Sequence, residues 1–215
     1  MADRSIHWND VYTTKPHDAV SWYAPHLEHS LALIEALDPG RTASVVDIGG
    51  GESTLVDDLL ASGRRDLAVL DVSEAAIEFS RRRLGEKADL VDWYVADVTR
   101  HDFAGRTFDL WHDRAVFHFL TDPRDRAAYV DLVKRSVAPG GLVVMATFGP
   151  NGPLRCSDLE VVRYDDRGLH DQFGERFDIL GSRLVEHVTP RGAAQQFLYC
   201  WFRVDPRPDP SREPA

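Results

Sequence analysis

Three acids and three glycines carry the chemistry most legible in this chain. Asp47 lies in the apolar run Ser44-Val-Val-Asp-Ile, just ahead of Gly49, Gly50 and Gly51. Asp71 closes a second apolar run, Leu67-Ala-Val-Leu-Asp, twenty positions beyond Gly51, and Asp97 follows a third, Trp93-Tyr-Val-Ala. Without a Cβ, glycines let the backbone turn sharply, take positive φ and bring its amides against a ligand. An acid about twenty residues further on, at the end of the next strand, is how a βαβ unit holds a ribose. Asp47 speaks to charge: a carboxylate beside the turn suits an ammonium or sulfonium and repels a diphosphate. The position where a dinucleotide fingerprint needs a third small residue holds Thr54, and no Gly-Lys-Ser/Thr follows to meet phosphates and magnesium.

Holding these groups together requires alternating strands and helices. Leu27, Leu31, Ile34 and Leu37 recur at helical spacing up to Asp38-Pro39-Gly40, where the helix is expected to stop. The strand with Asp47 comes next, then a helix carrying Leu55, Val56, Leu59 and Leu60 that ends at Gly63. Ser73, just past Asp71, is placed to cap another helix. Residues 93–96, 108–112 and 142–147 read as strands three to five, the last after a helix ending in Pro139-Gly140-Gly141. The alternation predicts an α/β fold with a parallel sheet and helices on both faces. Two β-rich runs, 183–189 and 195–204, are joined by Pro190-Arg-Gly192 with no room for a helix, so they should form a C-terminal antiparallel hairpin.

Composition sets the frame. At 215 residues, 43% hydrophobic and 28% charged, the chain reads as one soluble domain over 1–204. The net charge of −10 argues against nucleic acid or an anionic membrane as partner, and Arg81-Arg82-Arg83 reads as the solvated face of a helix. Cys156 and Cys200 lie far apart, with no signal peptide or long apolar span, which predicts a reducing cytoplasm. The nine histidines form no Cys/His cluster, so no metal is expected. Residues 205–215 are proline-rich and charged and are expected to be disordered.

The series Asp47-Ile-Gly-Gly-Gly, Asp71-Val72, Asp97-Val98 and His112-Asp113 resembles the motifs of class I S-adenosylmethionine-dependent methyltransferases, and the resemblance runs over residues 8–204. It implies a Rossmann-like, seven-stranded, mostly parallel sheet with a reversed final strand. It divides the domain into an N-terminal lid and first helix (1–40), a cofactor-binding core (41–148), a substrate-loop region (149–182) and the hairpin (183–204). It also implies S-adenosylmethionine as cofactor, with S-adenosylhomocysteine as product. Asp47, Gly49, Gly50 and Gly51 would lie under the methionine part, and Asp71 would take both ribose hydroxyls. Val72 would lie beside the adenine, Asp97 and Val98 would contact its amine and ring, and His112 would close the site at the end of the fourth strand. Ser53 departs from the pattern, since many members have a further glycine there.

Methyl transfer from a sulfonium is an in-line displacement, so the protein mainly aligns the nucleophile and excludes water. A base is needed only for a protonated acceptor, and His112, Asp113 and His118 are placed for it. Against this, His118 in Ala115-Val-Phe-His-Phe-Leu reads as a packed core residue, and Asp113 as an ion-pair partner of Arg114. Trp8, Tyr12, Trp22 and Tyr23 offer aromatic faces that stabilise a sulfonium and would form the lid; the competing reading is that they pin the N-terminal segment. Cys156, in the punctuated stretch 148–162, reads as a spectator, because the reaction needs no covalent intermediate.

Within the superfamily the pattern is similar to bacterial thiopurine-type enzymes acting on small molecules and to elongation-factor lysine methyltransferases. The Asn/Asp-Pro-Pro-Tyr/Phe signature of planar-nitrogen methylation is absent, as is the cysteine set of arsenic methylation. The expected acceptor is the S, N or O atom of a small molecule. A protein lysine is the alternative, and a non-catalytic S-adenosylmethionine-binding scaffold or regulator the second.

Overall fold

In the computed structural model, which describes residues 4–37 and 40–206, the apolar runs become the centre of one sheet. Val45–Ile48 (β1) and Leu67–Asp71 (β2) are buried at every position. Val91–Val95 (β3), Phe108–Arg114 (β4) and Val137–Phe148 (β5) complete the parallel part. Continuous apolar runs of this kind are what strands covered on both faces require. Arg155–Cys156 (β6) and Leu159–Glu160 (β7) form a small separate ribbon, and Phe177–Val188 (β8) and Ala194–Val204 (β9) form the hairpin. The main sheet has seven strands in the order β3-β2-β1-β4-β5-β9-β8, with β9 antiparallel to both β5 and β8.

Among the described residues six α-helices flank the sheet: Arg4–Thr14 (α1), Glu28–Leu37 (α2), Leu55–Ala61 (α3), Glu74–Leu84 (α4), Pro123–Ser136 (α5) and Asp166–Phe173 (α6). One face buries Ile48, Trp111 and Met145 against Tyr129 and Val133 of α5 and Phe173 of α6. The other buries Val45, Val69 and Leu110 against Ile34 of α2, Leu55 and Leu59 of α3 and Ile77 of α4. Ser73 caps α4 as expected, its Oγ accepting the Ala76 N–H at 3.2 Å. No helix among the described residues is long and apolar enough to cross a membrane.

The elements differ in places from the sequence reading. The helix before β5 stops at Ser136, and Pro139-Gly140-Gly141 lies inside the strand. Proline disfavours a helical conformation at the residue before it, here Ala138, and the chain is already extended at the C-cap Val137. The first hairpin strand begins at Phe177, with a register irregularity between Ile179 and Gly181. Helix α1 has no legible periodicity, since Val11 is its only buried residue among those described. The expected stop at Asp38-Pro39 and residues 207–215 of the expected tail lie outside the described residues, while the Asp205 N–H donates to the Arg176 carbonyl at 2.8 Å.

Candidate active site

The glycine turn leaves β1 and crosses above β2. Gly49 has φ +65° and Gly51 φ +52°, a region that side chains other than glycine's rarely adopt. Space is as restrictive as conformation: a Cβ on Gly49 would lie 2.0 Å from a Val116 methyl, and one on Gly50 would lie 2.6 Å from a Val69 methyl. Helix α4 holds the turn from outside. Ser80 Oγ donates to the Gly51 carbonyl at 2.8 Å. Arg83 donates to the Glu52 and Ser53 carbonyls at 2.8 and 2.6 Å and to both oxygens of Asp57 at 3.1 and 2.7 Å. Arg81 and Arg82 are exposed, as expected of a solvated face, but Arg83 ties α4 to the loop after the glycine turn, which sequence spacing alone did not indicate.

Two adjoining cavities meet at Gly49, Tyr12, Trp22 and Arg114. The first runs over Asp71, Val72, Asp97 and Val98 and ends against Ala115, Phe119 and Cys156, with Trp8 also on its wall. The second is bounded by Asp47, Gly50, Glu52 and His112, with His17, Tyr23 and Phe79 beyond. Trp8 packs edge-on against Trp22 at 5.7 Å and against Phe119 at 5.0 Å, and Tyr12 meets Trp22 at 6.2 Å. The predicted binding residues therefore converge on one composite site. Gly51 alone lines neither cavity, because the Tyr12 hydroxyl covers it.

Asp71 is 5% exposed, and its Oδ1 accepts the Ser73 N–H at 2.8 Å. Burial pushes its carboxyl up to about 7; backbone N–H groups of Ser73, Gly51 and Val72 work against that rise, and Asp47 adds to it. Among the described residues no cationic side chain pairs with Asp71. Asp97 is held differently. Its carboxylate takes Arg4 at 3.1 Å and the Thr99 N–H and hydroxyl at 2.9 and 2.7 Å. Burial alone would raise its pKa, but the Thr99 bonds and Arg4 outweigh it, and the pKa falls below the ordinary value. Arg4 also pairs with Asp125, and Asn9 Oδ1 accepts from Ser73 Oγ at 2.8 Å and Ala75 N at 3.2 Å. Through Arg4 and Asn9, helix α1 is fastened across the site.

The three residues expected to act on the acceptor are placed less favourably. His112 borders the second cavity, but both its nitrogens are engaged: Nδ1 is 2.7 Å from Asp47 Oδ1 and Nε2 is 2.8 Å from Ser30 Oγ. Asp113 is fully buried and lines neither cavity; the Tyr129 hydroxyl donates to it at 2.5 Å and the Val116 N–H at 2.9 Å. Burial raises its carboxyl to about 6 despite those bonds. It makes no ion pair with Arg114, whose guanidinium donates to the Trp22 carbonyl at 2.9 Å and lies over the Phe197 ring. His118 is also fully buried and off both cavities, its Nδ1 accepting the Phe148 N–H at 3.0 Å. Burial, with Arg114 adding to it, lowers its pKa to about 3. The expectation that Asp113 and His118 face an acceptor is therefore corrected: in a tightly packed layer beneath the cavity, neither can reach one.

The arrangement fits S-adenosylmethionine on the chain's own features: a buried carboxylate at Asp71 awaiting donors, a backbone cradle that a Cβ would fill, and aromatic faces beside it. The fold is that of class I S-adenosylmethionine-dependent methyltransferases. Residues 45–141, from β1 into β5, match the family described as Methyltransferase domain. Curated relatives include the eEF1A lysine and N-terminal methyltransferase of Mus musculus, 27% identical over 55% of this chain and 17% of that protein. The Homo sapiens counterpart is 25% identical over 64% of this chain and 19% of that protein. The chain spans less than a quarter of the length of these relatives. Among solved structures, one concerns conversion of a disulfide bond into a thioacetal group during echinomycin biosynthesis; its TM-score is 0.74 at 19% identity, covering 95% and 93% of the two chains. Another is Burkholderia thailandensis 1,6-didemethyltoxoflavin-N1-methyltransferase with its namesake compound and S-adenosylhomocysteine bound, TM-score 0.66 at 21% identity, covering 94% and 84%. At these identities the structures show a shared fold.

Proposed function

We propose that the chain transfers a methyl group from S-adenosylmethionine to the S, N or O atom of a small-molecule acceptor. When bound, the cofactor supplies an electrophilic methyl group on a sulfonium. Asp71 accepts from the ribose hydroxyls, Val72, Asp97 and Val98 hold the adenine, and Asp47 with the glycine turn holds the methionine end. Trp8, Tyr12 and Trp22 cover the cofactor and exclude water. Asp113 and His118 support the floor, so the acceptor is aligned by the cavity walls and needs no buried base.

The observation that carries the small-molecule reading is the acceptor end of the first cavity. Trp8, Trp22, Ala115, Phe119 and Cys156 line it there, together with the Arg114 guanidinium, which donates to the Trp22 carbonyl. An ammonium entering there would meet a like charge, whereas a neutral or anionic aromatic acceptor would not. The lysine methyltransferase relatives favour the second reading, a protein lysine. Formation of S-adenosylhomocysteine is the test, measured with a panel of thiols, phenols and heterocyclic amines and, in parallel, with protein extract. Turnover on the panel supports the proposal; label appearing only on protein lysine supports the alternative. Cofactor binding without turnover on either would leave a binding-only scaffold.

A further inference from the structure

The geometry points to Ser30 as a positioning residue for the cofactor's amino-acid end, acting through His112 on Asp47. Three elements supply the relay: Ser30 from α2, His112 from β4 and Asp47 from β1. Ser30 Oγ is 2.8 Å from His112 Nε2, and His112 Nδ1 is 2.7 Å from Asp47 Oδ1. Ser30 and His112 are 0% exposed and Asp47 5%.

The direction of the bonds follows from what each group can do. With an ionised Asp47 and a neutral ring, Nδ1 carries the hydrogen for the carboxylate, Nε2 accepts, and the Ser30 hydroxyl donates to it. Behind Ser30, the Tyr199 hydroxyl stands 3.4 Å from Oγ and can donate to that oxygen. The relay ends in a charge-assisted bond that fixes one oxygen of Asp47. The other, Oδ2, is left against the glycine turn, where a Cβ on Gly50 would come within 2.9 Å of it.

The order of groups is that of a serine nucleophile with its base and orienting acid. Ser30, however, lines neither cavity, so no substrate atom can approach its Oγ. What reaches the second cavity is the other end, Asp47 and the edge of His112. A buried polar chain is expensive unless every member is satisfied, and here all three are. The consequence is an oriented negative charge facing the bound cofactor's α-ammonium, set by a residue on a helix that otherwise packs apolar side chains. This rests on the reading that Asp47 meets the methionine end of S-adenosylmethionine.

The test compares two probes by calorimetry: S-adenosylhomocysteine, which has the amino-acid end, and 5′-methylthioadenosine, which lacks it. Ser30→Ala should weaken S-adenosylhomocysteine by roughly three- to tenfold, the range for one hydrogen bond, and leave methylthioadenosine within about twofold. Alanine is well tolerated inside a helix, so the variant should stay folded, which a thermal melt verifies. Equal effects on both probes, or none on either, would overturn the inference. Asp47→Asn separates the levels: if it weakens S-adenosylhomocysteine and Ser30→Ala does not, only the relay fails. If Asp47→Asn also leaves affinity unchanged, the placement of Asp47 at the methionine end fails, and the relay with it.

Discussion

The hydroxyl of Tyr12 occupies the space that a side chain on Gly51 would need: an added Cβ would lie 2.6 Å from that oxygen and 3.4 Å from Asp71 Oδ2. Helix α1, the glycine turn and Asp71 thus meet at one point. Burial, then the negative charge of Asp71, pushes the Tyr12 phenol well above its ordinary value, so it stays protonated and able to donate. Gly51→Ala should cost about 1–2 kcal/mol of stability for the left-handed backbone alone and should displace Tyr12, weakening S-adenosylhomocysteine. In a Tyr12→Phe background the collision is relieved while the backbone strain remains. The loss of affinity from Gly51→Ala should then shrink while the melting-temperature loss persists. Identical affinity losses in both backgrounds would mean that the lid contact plays no part.

The role proposed for Asp71 predicts a pH dependence of definite sign for cofactor binding. Burial penalises the charge and pushes its carboxyl from the ordinary 3.8 up to about 7. The folded protein therefore holds a proton that the unfolded chain has released, and this group's contribution to stability declines as pH rises from about 4 to 7. Ribose hydroxyls donate to the ionised form, so affinity for S-adenosylhomocysteine should climb from pH 5.5 to 7.5 and level off above. Asp71→Asn should flatten that profile and weaken binding by about 1–3 kcal/mol at pH 8. A wild-type affinity independent of pH across this range would refute the assignment.

The parts of the site legible in the sequence are those dictated locally. Gly49 and Gly51 are required by positive φ, Asp71 ends a strand, and Ser73 caps the helix that follows; each role follows from a residue and its near neighbours. Ser30, Asn9 and Arg83 could not be read this way. Ser30 meets His112 across 82 positions, and Arg83 meets the glycine turn only because α4 folds back along it. His112, Asp113 and His118 show the opposite difficulty: their types and spacing suit a base, but tertiary packing turns Asp113 and His118 into the layer under the cavity. Helix α1 escaped a periodicity reading because polar bonds from Arg4 and Asn9, rather than an apolar stripe, attach it.

His118 should act on stability, with no separate effect on turnover. Its pKa is lowered to about 3 by burial, with Arg114 adding to the shift, while in the unfolded chain it titrates near 6.5. The unfolded state thus binds the extra proton first, and this group's contribution to stability is fully present above about pH 6.5 and is lost progressively as pH falls towards 3. His118→Gln removes that titration and keeps an acceptor for the Phe148 N–H. Chemical denaturation at pH 8 and pH 5 should show a smaller pH-dependent loss for the variant than for the wild type. A large fall in turnover at unchanged cofactor affinity and stability would instead restore His118 to the acceptor side.

Arg83 is the residue whose loss should most clearly uncouple the glycine turn from the helix behind it. Its guanidinium satisfies two loop carbonyls and one carboxylate at once, a planar fork that a lysine ammonium cannot reproduce. Arg83→Lys should therefore behave nearly as badly as Arg83→Ala, each weakening S-adenosylhomocysteine by about 1–3 kcal/mol, as for loss of charged hydrogen bonds. Asp57→Asn, which removes the carboxylate charge and spares the carbonyl contacts, should cost less. Calorimetry on the three variants decides the matter. If Arg83→Lys binds like the wild type, the arginine acts through charge alone, and its bonds to the Glu52 and Ser53 carbonyls do not hold the turn in its binding shape.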